Sequence, residues 1–280
     1  MSMRKKSLLY AGLACTALVL APTTAAAAAT GPSTPRPAVD FPALTVTIPL
    51  IPLPSGGNAF GKATCPAGTV VLSGGADSAS GKVAINASGP DGNTAWAASG
   101  NNLGPPTTFK VYAVCEPLPA GYTQVVGPAV SNPSGTQTLA NVVCPAGDVV
   151  TGGGVFDTNN VKIGMFSSYP AASDEWVAAV NNNSKGSETM QAVAVCASST
   201  AFPVYAIKIK TAPDPPGTYI SENCPPAKVL GGGNLTSATG HTDVWMNATR
   251  PFGGVAGWRG GEYNAIALVP NVTVFAICAT

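Results

Sequence analysis

Charged side chains are scarce here. Lys and Arg number 14, Asp and Glu 13, together 10% of 280 residues, against about a quarter in an ordinary soluble domain. No Lys/Arg cluster follows the N-terminus, which excludes the electrostatic footprint of a nucleic-acid partner or an anionic membrane surface. There is one histidine, His241. Zinc wants His partners or closely spaced cysteine pairs, and neither is present. No Gly-x-Ser-x-Gly elbow, phosphate-loop spacing or Asp-x-Asp-x-Asp-Gly calcium loop occurs. Metal and cofactor are accordingly expected to be none. No stretch keeps a helical apolar period without Gly or Pro intervening, so no helix of ordinary length is expected after the N-terminal segment. The first apolar run, Leu8 to Leu20, is too short to span a bilayer, and no later run is longer.

What is present points outward from the cell. Arg4, Lys5 and Lys6 precede that apolar run, and Ala25–Ala29 follows it. Residues 1–29 therefore read as a signal peptide cleaved near residues 27–29. Its removal leaves eleven basic against thirteen acidic side chains. Residues 30–37 form a Pro-rich leader. Beyond Cys15 there are six cysteines, an even number suited to an oxidising, extracellular or cell-wall setting.

A repeat organises the rest. First cysteines stand at Cys65, Cys144 and Cys224, tryptophans at Trp96, Trp176 and Trp258, and last cysteines at Cys115, Cys196 and Cys278. The spacing predicts three β units over 38–118, 119–200 and 201–280. It also selects one of fifteen pairings: Cys65–Cys115, Cys144–Cys196 and Cys224–Cys278. In each unit Cys-Pro makes a turn, a Val-rich strand follows, and glycines interrupt it at Gly74-Gly75, Gly152–Gly154 and Gly231–Gly233. The expected neighbour of those glycines is the tryptophan of the same unit. The last strands, ending in Ala-Val-Cys or Ala-Ile-Cys, are apolar on both faces and should be buried on both. Pro42, Pro49, Pro52 and Pro54 restrict the opening segment of unit 1 to an edge or exposed strand. The fold expected is all-β: three antiparallel, Greek-key-like, disulfide-closed units packed with pseudo-threefold symmetry as a β-prism. Three tandem small β-sandwiches are the alternative.

Chemistry is harder to place. Trp96, Trp176 and Trp258, each followed six residues later by Asn102, Asn182 or Asn264, offer aromatic faces beside amides, the chemistry of a sugar site. The same tryptophans serve equally as core centrepieces beside disulfides. His241 sits in a loop without equivalents. Asp77 and Asp157 occupy similar positions after the glycines. Trp245 has no counterpart in the other units.

The Cys-Pro-Ala-Gly…Gly-Gly…Trp…Val-x-Ala-Val-Cys pattern, over about residues 60 to 280, resembles a repeat of exported Gram-positive bacterial proteins. The resemblance implies an address and no activity. The three disulfide-bearing repeats are also similar in architecture to the β-prism of the vitelline membrane outer layer protein. The function expected is a secreted, non-enzymatic binding or envelope-associated protein, lectin-like, with an extracellular glycan or another secreted or cell-wall protein as partner. An extracellular hydrolase and a structural coat or inhibitor protein are the alternatives.

Overall fold

The computed structural model describes residues 44–280 apart from 159, 216–217 and 266–268. The segments expected to be a signal peptide and a Pro-rich leader lie outside the described residues. Repeat 1 gives β1 (Leu44–Thr47), β2 (Ile51–Leu53), β3 (Asn58–Thr64), β4 (Thr69–Ser78), β5 (Val83–Pro90), β6 (Ala95–Asn102) and β7 (Thr107–Pro117). Repeat 2 gives β8 (Thr123–Val126), β9 (Val130–Asn132), β10 (Thr136–Val143), β11 (Asp148–Asp157), β12 (Ile163–Pro170), β13 (Glu175–Asn182) and β14 (Glu188–Ser198). Repeat 3 gives β15 (Tyr205–Pro213), β16 (Ile220–Asn223), β17 (Lys228–Thr236), β18 (Val244–Phe252), β19 (Gly257–Asn264) and β20 (Asn271–Ala279). Apart from one 3-10 turn at Ser199–Ala201, no helix occurs among the described residues.

The strands form three antiparallel sheets, and no sheet belongs to one repeat. Sheet I runs β1-β7-β4-β18-β19-β16, with β2 also on β7, and joins repeats 1 and 3. Sheet II runs β3-β6-β5-β11-β14-β8, with β9 also on β14, and joins repeats 1 and 2. Sheet III runs β10-β13-β12-β17-β20-β15 and joins repeats 2 and 3. Each repeat therefore splits between two sheets and forms a corner of the prism rather than a face. The disulfide crosses that corner. Cys65 follows β3 in sheet II and bonds Cys115 in sheet I; Cys144–Cys196 links sheets III and II, and Cys224–Cys278 links sheets I and III. All three bonds match the pairing read from the repeat.

Repeats meet within a sheet at three seams, registered at Ala76↔Thr249, Ser88↔Val155 and Ser168↔Asn234. The glycine clusters make these seams. A Cβ on Gly75, Gly154 or Gly233 would stand 1.8, 1.8 or 1.9 Å from the carbonyl oxygen of Thr249, Ser88 or Ser168. Only glycine admits a neighbouring backbone so close. The preceding glycine faces the tryptophan, as the sequence suggests: Cβ atoms on Gly74, Gly153 and Gly232 would lie 2.3, 2.4 and 2.5 Å from the indoles of Trp96, Trp176 and Trp258. One residue earlier, Gly152 and Gly231 both abut Ser73. There the three repeats converge, and Thr151 Oγ1 donates to the Leu72 carbonyl at 3.0 Å.

Other expectations hold. Among the described residues β1 and β2 pair only with β7, at the sheet edge; Pro42 lies outside those residues. Ala113, Val114, Cys115 and their equivalents Ala194, Val195, Cys196 and Ala276, Ile277, Cys278 are buried. Asp77 and Asp157 are a correction. Register places Asp77 opposite Lys110 and Asp157 opposite Met190, whereas Lys110 is equivalent to Gln191. The two acids are one residue out of step, and in a strand one residue turns a side chain to the other face.

Candidate functional site

Trp96, Trp176 and Trp258 are 0%, 1% and 0% exposed. Each indole N–H donates to a buried hydroxyl of its own repeat: Ser88 at 2.8 Å, Ser168 at 3.0 Å and Thr249 at 3.0 Å. With one face on glycine and the N–H satisfied, these rings are core pieces, and no sugar ring reaches them. Asn102 and Asn182 are buried too. Their amides pin turns: Asn102 Nδ2 donates to the Leu53, Pro54 and Pro105 carbonyls, and Asn182 Nδ2 to those of Asn132 and Gly186. Each Oδ1 accepts a backbone N–H two residues on. Asn264 holds the equivalent register, opposite Val244, but is half-buried and lines a pocket wall. The sequence-predicted triplet therefore does not assemble three sugar sites.

The strand directions collect the Cys-Pro turns and proline corners at one end of the prism. The turns β4–β5, β6–β7 and their equivalents gather at the other. At this second end a cleft of about 490 Å³ opens over the seams between repeats 1 and 2 and between repeats 2 and 3. Its wall mixes amides and hydroxyls (Asn101, Asn183, Ser184, Thr242) with one carboxylate (Asp243) and one ammonium (Lys162). Exposed Leu103 and Val161 supply apolar patches, and Trp245 closes one side.

The seams position these groups. β6, β13 and β19 present Asn101, Asn181 and Tyr263 at equivalent register, opposite Ala84, Gly164 and Trp245. Asn101 Nδ2 crosses to the Ile163 carbonyl at 2.9 Å, and Asn181 Nδ2 to that of Val244 at 2.7 Å. Trp245 fills the space that Gly164 leaves, its Cδ1 2.3 Å from where a Cβ would be. Its other neighbour is Tyr263, stacked at 5.7 Å and 5°. The indole is thus held rigidly and offers the cleft an edge. Asn183 Nδ2 donates to Asp243 Oδ1 at 3.1 Å and to the Thr242 carbonyl at 2.9 Å. That orients Asp243 while leaving its second oxygen for a ligand. No ion pair holds Lys162 among the described residues.

His241 lies on the loop that carries Thr242 and Asp243, and its backbone carbonyl accepts from Asn181 Nδ2 at 3.3 Å. Among the described residues no hydrogen bond joins its imidazole to a serine or a carboxylate. Asp77 is occupied, accepting from Tyr112 Oη at 3.0 Å and pairing with Arg250. Burial, reinforced by Asp77's charge, raises the Tyr112 phenol, which keeps it a donor.

Sequence reasoning passed over Asn101, Asn183, Lys162 and Asp243. One signal was available: Trp245 is the single tryptophan outside the repeat register. No protein-family model matches the chain, and no characterised protein matches it at significant similarity.

Proposed function

We propose that this chain is a secreted binding protein, and that the cleft at the loop end of the prism takes a carbohydrate. The observation that carries this reading is the cleft's lining: side-chain amides, hydroxyls and one oriented carboxylate, interleaved with short apolar patches. Sugar rings present that same mixture of hydroxyl and C–H surface. Three disulfides support an oxidising, extracellular setting, as do the N-terminal signal and the likeness of the repeat to exported bacterial proteins. Asp243 is the one carboxylate on the cleft wall. Glycoside hydrolysis uses two that flank the scissile bond, so binding is the reading favoured over hydrolysis.

A glycan array with the disulfide-bonded protein tests this. The reading expects a defined glycan class to bind, and Asp243→Ala or Asn183→Ala to weaken that binding about tenfold or more, the loss of one hydrogen bond to a charged group. No bound glycan, or binding unchanged in both variants, contradicts it. Recovery of a cell-wall protein in its place favours the interaction role.

A further inference from the structure

The third repeat departs from the other two at one core position. Register aligns Gly100, Val180 and Glu262, opposite Ile85, Met165 and Met246. In repeat 1 the Phe109 ring fills the space, 2.6 Å from where a Cβ on Gly100 would stand. In repeat 2 Val180 is fully buried there. In repeat 3 the position holds a carboxyl, 4% exposed, and neither oxygen has a hydrogen-bond partner among the described residues.

Asn234 lies beside it. It is fully buried, and its side-chain nitrogen and oxygen also lack partners. Its Cγ is 2.8 Å from where a Cβ on Gly260 would stand. Gly260 and Glu262 lie on the same face of β19, because strand side chains alternate. Thr236 follows Asn234 by two on β17, and its hydroxyl acts on Glu262 to favour the charged form. Asp214 Oδ2 accepts the Glu262 N–H at 3.0 Å. Repeats 1 and 2 place Ala76 and Val155 where repeat 3 has Asn234.

An unpartnered buried polar atom costs about 1–3 kcal/mol, and the three acceptor oxygens gathered here, two of Glu262 and one of Asn234, call for a ligand. The set is carboxylate, amide and hydroxyl oxygen, the donors of a hard cation. Glu262 also stands on the wall of a pocket of about 460 Å³, through which water can complete the coordination. Lys82 shares that wall, but its stem lies along Gly104 and no ion pair joins it to Glu262 among the described residues.

We propose that Glu262, Asn234, Thr236 and Asp214 form a calcium site peculiar to the third repeat. Burial raises both carboxyls, Glu262 to about 8 with Asp214's charge adding to the effect. The donors come from β17, β19 and the segment after β15, so no loop motif announces the site.

The test is thermal unfolding of chelator-dialysed protein with and without millimolar CaCl₂, paired with terbium luminescence excited through the nearby Tyr263 and Trp245. Calcium should raise Tm by about 5 °C, and terbium should emit. Glu262→Gln should fold and lose both responses. Asn234→Leu gives an independent reading and should weaken both. Absence of a calcium shift in the wild type, or an equal shift in Glu262→Gln, overturns the proposal.

Discussion

The three seams of the prism have the same backbone and different side chains. On the outer face of sheet II, Phe156 of repeat 2 lies over Gly89 of repeat 1, 2.7 Å from where a Cβ would be. On sheet III, Tyr169 of repeat 2 stacks on Phe275 of repeat 3 at 5.0 Å. On sheet I, where repeat 3 meets repeat 1, Arg250 pairs with Asp77 and lies 5.0 Å over the Tyr112 ring. The first two seams join repeats consecutive in the chain. The third joins repeats far apart in sequence and closes the ring, so its contacts must be found rather than inherited from chain proximity. Apolar rings tolerate sliding. A guanidinium fixed by a carboxylate, with a phenol donating to the same carboxylate, has one register. The difference teaches that the backbone close-fit is a symmetric device, and that register at the closing seam is set by charge.

The largest expected effect tests the symmetric half of that statement. Gly154→Val and Gly75→Val should each cost about 3 kcal/mol or more, because a backbone carbonyl must move. Chemical denaturation should show both variants unfolding at much lower denaturant, by similar amounts. Next comes the asymmetric half. Arg250→Ala leaves Asp77, only 16% exposed, without its cation and should cost about 2–3 kcal/mol. Phe156→Ala, on a half-buried ring, should cost about 1 kcal/mol. Replacing both charges with apolar residues, Asp77→Leu with Arg250→Met, should recover most of the single-variant loss. Equal penalties for Arg250→Ala and Phe156→Ala break the distinction between seams. The smallest effect on stability belongs to the cleft: Asp243→Ala should move Tm by about 1 °C or less.

The frame was legible because its causes repeat. Cysteine spacing, the tryptophan register and edge prolines each recur or follow from local backbone rules, and each kept its meaning. The sharing of sheets between repeats was not legible. Its determinants are glycines that face a carbonyl of another repeat, and nothing in one repeat names the partner strand. Asp77 and Asp157 misled because they stand twelve and thirteen residues beyond their first cysteines, and since both strands carry the same bulge that one-residue offset persists and changes face. The sugar-site expectation on Trp96, Trp176 and Trp258 failed for the opposite reason. What recurs in all three repeats is what the fold needs, and those indoles are its pillars. The cleft draws Asn101 from the end of β6 and Lys162, Asn183 and Asp243 from turns, across three repeats, with Trp245 in a place where the others have Ala84 and Gly164. These differences carry no pattern until the seams bring them together.

The central claim is that recurring residues hold the prism while non-recurring ones bind. The most direct measurement is glycan binding and Tm together for Trp176→Phe and Asp243→Ala beside the wild type. The account predicts that Trp176→Phe lowers Tm and keeps binding, whereas Asp243→Ala keeps Tm and loses binding. Binding lost with Trp176→Phe at unchanged Tm, or retained in Asp243→Ala, contradicts it.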